Sequence, residues 1–476
     1  MKRLFCMIAL LCIAICSHAT LRVPDVISSN MVLQQQTQAS IWGWADAGAK
    51  VTVITGWNSA KYNVTAAEDG SWMVKVNTPR ATYNPETVVI RSGKESITLN
   101  NVLIGEVWVC SGQSNMDMPM GGYPNEPVEG SPEIIRKSAD AKGLRMCVVD
   151  HVTAFEPQQE VGGMWKVSSP ENTPGFTATA YMYARALEEY LHVPVGIISC
   201  AWGGANIKCY MSKEALLGLG ISSQEFEEMQ HHEIATLAYS VMYNAMIYPL
   251  HNYTIKGFLW YQGCANLGQR DYADFQNVMA NEWRSIWGLG DLPFYYAQIA
   301  PFFYGDGIGF NAGILRDEQT RAESLMTNAG MVATYDLVYP FERRHIHPRN
   351  KAELGRRFAT LAADRTYGIP YLHSENPKYE SFVEEGNGTV TVKFTNMGSG
   401  FWEEGEFPGF MVAGEDKVFY PADNVSLVGT DRINLGSSKV EKVVAVRYLW
   451  DDFVIARLWN SYHLPILPFR TDNWDK

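Results

Sequence analysis

The sequence has 476 residues, of which 46% are hydrophobic and 19% charged, a globular composition that excludes wholesale disorder and, at this length, one ordinary domain. It shows no Gly-x-y period and no heptad array, which excludes collagen-like and coiled-coil classes. A formal net charge of −12 argues against a nucleic-acid or anionic-membrane surface.

The chain opens MKRLFCMIALLCIAICSHA. Lys2 and Arg3 precede an apolar run from Leu4 to Cys16, and Ser17 and Ala19 put small residues at −3 and −1 of a cut after Ala19, so residues 1–19 are expected to be a secretory signal peptide. The run is too short for a membrane span, and Ile15 before Cys16 fits a lipoprotein signal poorly. No later apolar run is long enough for a span. The mature chain then carries 37 basic against 51 acidic residues, a net charge of −14. Its five cysteines, Cys110, Cys147, Cys200, Cys209 and Cys264, match no zinc spacing, and an odd count leaves at least one thiol unpaired in a monomer. They read mostly as small core residues; a Cys200–Cys209 bridge is the pairing an exported chain could use.

Residues 20–100 read as a small β-sandwich-like domain: short alternating runs broken by Ala-Gly, Asp-Gly and Pro. VLIGEVWVC (102–110) is nearly continuous in apolar residues, as in a strand buried on both faces. From there to 370 the pattern alternates. Helical spacing over 181–191, 271–287, 314–328 and 351–368 separates apolar strands at 193–200, 255–261, 292–301 and 330–336. Such alternation predicts an α/β domain over 101–370 with a parallel sheet between helices, and chemistry at the carboxyl ends of the strands. Residues 371–476 return to short alternating β runs.

Four polar motifs follow predicted strands. In SGQSNM (111–116), Ser114 stands one short turn beyond a buried strand, where its hydroxyl can act as a nucleophile and its own N–H can face the oxyanion it creates; the same residues also make an ordinary turn. In AWGGAN (201–206), Gly203 and Gly204 permit close backbone approach, or simply a tight turn. In WYQGCAN (260–266), Gln262 or Asn266 supplies a side-chain amide donor, while Trp260 and Tyr261 read as core. In RRHIHPRNK (343–351), His347 is an imidazole at the loop before a helix, the usual general base for a serine. Each motif alone reads as turn chemistry. Together they place a nucleophile, oxyanion donors and a base at successive strand ends, the parts list of acyl transfer.

These blocks, GQSNM, WGGA, WYQG-x-x-N and IHPRNK, resemble those of the sialate O-acetylesterase family among the SGNH-type (GDSL-like) carbohydrate esterases. VISSNMVLQQ, IWGWADAG, LPFYYAQIAP, LRDEQ and LPILPFRTDNW extend the resemblance over nearly all of the mature chain. It implies a three-layer SGNH-hydrolase-like α/β domain flanked by N-terminal and C-terminal β-rich regions. It further implies a secreted or periplasmic serine esterase, without metal or cofactor, that removes acetyl groups from sugar or sialoglycan hydroxyls. Carried over, Ser114 is the nucleophile and His347 the base; Gly203 or Gly204 and Gln262 or Asn266 complete the oxyanion hole. Two family acids are replaced, by His345 and by Cys264. Asp336 is the substitute expected to orient His347, with Glu342 behind it, and a dyad without any acid also stands. Arg316 and Gln319 either meet the sugar or pack. Three rivals remain: an esterase of acetylated xylan or pectin, a catalytically impaired carbohydrate-binding homologue, and Cys264 as the nucleophile.

Overall fold

The computed structural model describes residues 21–305 and 311–474; the leader expected over 1–19 lies outside the described residues. The architecture is mixed α/β with additional β-rich regions at both ends. The N-terminal strands are β1 (Val32–Gln34), β2 (Gln38–Trp44), β3 (Lys50–Thr55), β4 (Lys61–Thr65), β5 (Ser71–Asn77), β6 (Thr82–Ser92) and β7 (Glu95–Gly112). The central region adds β8 (Leu144–Val148), β9 (Trp165–Val167), β10 (Val195–Ala201), β11 (Gly257–Tyr261), β12 (Phe294–Ala297) and β13 (Ala329–Val332).

The central sheet has the order β13-β12-β11-β7-β10-β8-β9. All its neighbours are parallel except β9, which runs antiparallel to β8. The sheet is therefore mixed rather than purely parallel, and β8 and β9 were not among the predicted strands: five and three residues carry too little pattern to stand out. β7 explains the middle of the molecule. Along it Val107 and Val109 join one core while Trp108 and Cys110 join the other, so both faces are buried and the apolar run has no polar alternation. Helices Ala178–Leu191 and Lys351–Arg365 supply the second core; Tyr272–Trp287 and Asn311–Leu325 pack into the first.

β7 is also 18 residues long and serves two regions. Its first half pairs antiparallel with β6 and its middle parallel with β1; its second half enters the central sheet. The domain boundary expected between residues 100 and 101 thus falls inside one strand. Among the described residues no helix is long and apolar enough to cross a membrane.

Candidate active site

β7 ends at Gly112, whose φ is +140° and where a Cβ would sit 2.2 Å from the Tyr261 carbonyl oxygen on β11. Only glycine allows that approach, and it turns the chain into the one-turn helix Ser114–Asp117. Gln113 is buried and its Oε1 accepts from the Gly263 N–H at 2.9 Å, tying the serine turn to the loop after β11. Ser114 is partly exposed. β10 ends beside it: a Cβ on Gly203 would lie 3.5 Å from Ser114 Cβ.

The loop carrying His347 reaches the same strand ends. Asn115 Nδ2 donates to the Ile346 carbonyl at 2.9 Å, across 231 residues of sequence. His347 Nδ1–H donates to Glu126 Oε2 at 2.5 Å, and the Tyr123 ring meets the imidazole edge-on at 5.2 Å. Its other nitrogen, Nε2, is buried without a hydrogen-bond partner. Burial lowers the His347 pKa, and Glu126 partly restores it. The result is an imidazole with a carboxylate on Nδ1 and a buried Nε2 that no side chain among the described residues, Ser114 included, hydrogen-bonds.

The residue behind His347 is therefore not Asp336. That carboxylate lies in a buried pair with Arg357, at 2.7 and 2.6 Å, and accepts from Trp459 Nε1 at 2.8 Å. Glu342 is likewise committed elsewhere: it accepts from the Tyr339 N–H and from Arg349, bracing the His347 loop. Glu126 lies in the long loop after the serine motif, outside every block that carries the acyl-transfer reading. The local signal there, Tyr123-Pro124-Asn125-Glu126, marks a turn and not a partner for His347. Pro at the second position and Asn125 at φ 63° are the marks of a type II turn, closed by reciprocal backbone bonds between Tyr123 and Glu126. His345, at the position of a family acid, stands 3.9 Å from Glu126 Oε1 and is half-exposed.

The oxyanion donors are only partly placed as expected. The Gly203 N–H lies beside Ser114 but points to Asp117 Oδ2 at 3.2 Å. Asp117 is also held by the Tyr123 hydroxyl at 3.3 Å and by His151 at 3.3 Å, a contact that raises the His151 pKa. His151 stacks on Trp202 with centroids 4.6 Å apart. For the Gly204 N–H no partner is found among the described residues. Gln262 is the clearest departure. It is fully buried and both amide protons are used, on the Ala205 carbonyl at 3.0 Å and on Asn266 Oδ1 at 2.7 Å, while Tyr272 donates to its oxygen. Gln262 thus ties the loop after β10 to the loop after β11. Asn266 uses one amide proton on Gln269 and keeps the other.

Arg316 and Gln319 pack. Arg316 donates to the carbonyls of Leu449, Asp451 and Asp452, and Gln319 bridges Ile299 and Gln262. The five described cysteines are free thiols, so Cys200 and Cys209 are not bridged. Burial raises the Cys264 pKa, which works against a thiolate nucleophile there. Among the described residues no group of three or more His, Cys, Asp or Glu side chains is placed to hold a metal ion.

The family model for carbohydrate esterases of the sialic acid-specific acetylesterase type matches residues 104–364. The sialate O-acetylesterase of Rattus norvegicus is 28% identical over 416 residues, 75% of this chain and 75% of its own. That of Homo sapiens is 26% identical over 468 residues, 90% of this chain and 87% of its own. The crystal structure of a carbohydrate acetylesterase from Xanthomonas citri aligns with a TM-score of 0.84 at 29% identity, covering 96% of this chain and 100% of that one.

Proposed function

The chain belongs to the sialic acid-specific acetylesterase family of carbohydrate esterases and is a carboxylic ester hydrolase; from that premise we propose that it is a secreted or periplasmic sialate O-acetylesterase working through a Ser114–His347–Glu126 relay on an SGNH-like scaffold. One observation carries this reading: His347 is oriented by Glu126 on one nitrogen and left bare on the other, in a loop bonded to the residue after Ser114.

In the first half-reaction His347 Nε2 takes the Ser114 hydroxyl proton while Oγ bonds to the acetyl carbonyl carbon. The carbonyl electron pair moves to oxygen, where the Ser114 N–H, the adjacent Gly203–Gly204 backbone and the spare Asn266 proton are the available donors. The Gly203 N–H is held by the Asp117 carboxylate at 3.2 Å and serves the oxyanion only by giving up that bond. The intermediate collapses, the C–O bond to the sugar breaks, and His347 returns its proton to the sugar oxygen. Water then attacks the acetyl-enzyme by the same route, releasing acetate and restoring Ser114. Glu126 keeps the imidazole in the tautomer that leaves Nε2 unprotonated and stabilises the imidazolium. With that carboxylate at Nδ1, the replacement of a family acid by His345 no longer argues for a purely binding homologue.

The test is acetate release from O-acetylated sialic acid, acetylated xylan and acetylated pectin by wild type and Ser114→Ala. Release from the sialic acid ester that disappears in the variant is the expected result. Preference for xylan or pectin would move the substrate to plant polysaccharide, and equal rates in the two proteins would remove Ser114 as nucleophile.

A further inference from the structure

Lys351 opens helix Lys351–Arg365 and is 1% exposed. Its Nζ donates to Asn115 Oδ1 at 2.6 Å and lies 5.8 Å from the Tyr261 ring centroid. Among the described residues it forms no ion pair, so a buried ammonium has a neutral amide oxygen as its hydrogen-bond partner. Asn115 follows Ser114 directly. Its oxygen is held by Lys351 and its Nδ2 by the Ile346 carbonyl, one residue before His347; its own carbonyl accepts from the Thr179 hydroxyl. One side-chain amide thus joins the serine turn to the histidine loop, and Lys351 holds it.

An amide can turn over and exchange its oxygen for its nitrogen. Facing an ammonium, the form Lys351 keeps up to about pH 7, it cannot, because Nδ2 would then meet a donor with a donor. We propose that Lys351 is a positioning residue for the ester hydrolysis: its buried ammonium locks Asn115 in the single orientation that docks the His347 loop against the Ser114 turn. Packing alone does not explain the residue, since methionine fills the same space without the desolvation cost of a charge. That cost is visible in Lys351 itself, whose pKa burial pushes down to about 7. Glu126, Glu342 and Cys264 act on it through their fields, and its charge in turn lowers the pKa of His347.

The proposal rests on the Ser114–His347 reading and is tested with the full chain on p-nitrophenyl acetate. In Lys351→Met, kcat measured below pH 7, where wild-type Lys351 is charged, is expected to fall about tenfold or more with KM little changed, while the melting temperature stays level or rises. The acid limb of kcat/KM should move to higher pH, because the positive charge that lowers His347 is gone. Asn115→Leu cuts the same link from its other end, and the double variant should be no slower than Asn115→Leu alone. Wild-type kcat in a folded Lys351→Met overturns the proposal. So does a fall in kcat that comes with a lower melting temperature and an unmoved acid limb, which marks a structural residue. Should Lys351→Met not fold, Lys351→Gln and Asn115→Leu decide by the same readouts. Full activity in Ser114→Ala would instead defeat the Ser114–His347 reading, a result separate from loss or survival of activity in Lys351→Met.

Discussion

Desolvation lowers the His347 pKa from its ordinary 6.5, and the hydrogen bond and charge of Glu126 oppose it. If His347 is the base, the acid limb of kcat/KM in wild type is therefore expected on the acid side of the ordinary imidazole value. Glu126→Gln removes the opposing contribution, so the limb should shift to still lower pH. The same variant loses the carboxylate that sets the tautomer, and kcat should drop on the order of 10²–10⁴-fold, as measured by initial rates on p-nitrophenyl acetate. A limb moving upward would mean that Glu126 does not act on His347. Lys351 has the opposite chemistry and its own pH signature. Its pKa is about 7 when folded against 10.5 ordinarily, so between those values the unfolded chain binds more protons and stability rises with pH. Below 7 the full cost of burying the ammonium remains. The stability difference between Lys351→Met and wild type, measured by urea unfolding, should therefore shrink from pH 7 to pH 10; a constant difference would contradict a buried charge.

At the scale of elements, the helix Lys351–Arg365 both ends the His347 loop and packs against Ala178–Leu191. It is held near its middle by the Arg357–Asp336 pair, whose side chains are 3% and 5% exposed. Asp336 follows β13, and its bond from Trp459 carries the clamp into the C-terminal region. Removing Asp336 takes both of its bonds from the buried Arg357 guanidinium and leaves it only the partly exposed Glu353 carboxylate at 3.2 Å and the Ala333 carbonyl at 2.9 Å. Asp336→Ala should accordingly cost roughly 3–5 kcal/mol in chemical unfolding. The acid limb of kcat/KM should not move in that variant, because Asp336 does not touch His347. A shifted limb with unchanged stability would restore Asp336 as the orienting acid. The contrast with Glu126 is one of placement: the same functional group holds a helix in one case and an imidazole in the other.

The whole molecule is organised around β7, which belongs to the N-terminal sheet and to the central sheet at once. Glu106 on β7 accepts from Gln34 and Gln35 near β1 and from Tyr367 after the last helix, so three parts of the chain meet on one buried carboxylate. The C-terminal β region is joined through Arg316, fully buried with its guanidinium on the carbonyls of residues 449–452. A chain cut after residue 370 would leave that guanidinium without acceptors and open the first core along Phe410, Tyr448 and Phe469. Such a chain is expected to aggregate or to run as an expanded species in size-exclusion chromatography. A monodisperse and active truncation would show instead that the region is an independent appendage.

By itself the sequence determined the alternation of strands and helices, the strands that became β7 and β10–β13, and the four motifs at their carboxyl ends. Each depends on residues close in the chain: an apolar run, a glycine turn, a Pro before a helix. The resemblance of those motifs to a family likewise rests on local blocks. Tertiary structure alone decided which carboxylate stands behind His347, since Glu126 and His347 are 221 residues apart and nothing at either position announces the other. It decided that Gln262 closes a network instead of offering a free donor, because an amide's use depends on what surrounds it once buried. It also decided that a lysine from the last motif would reach back 236 residues to Asn115. Local pattern fixes conformation through sterics and hydrophobic spacing, whereas the partner of a buried polar group is fixed only when distant segments fold together and every such group must find one.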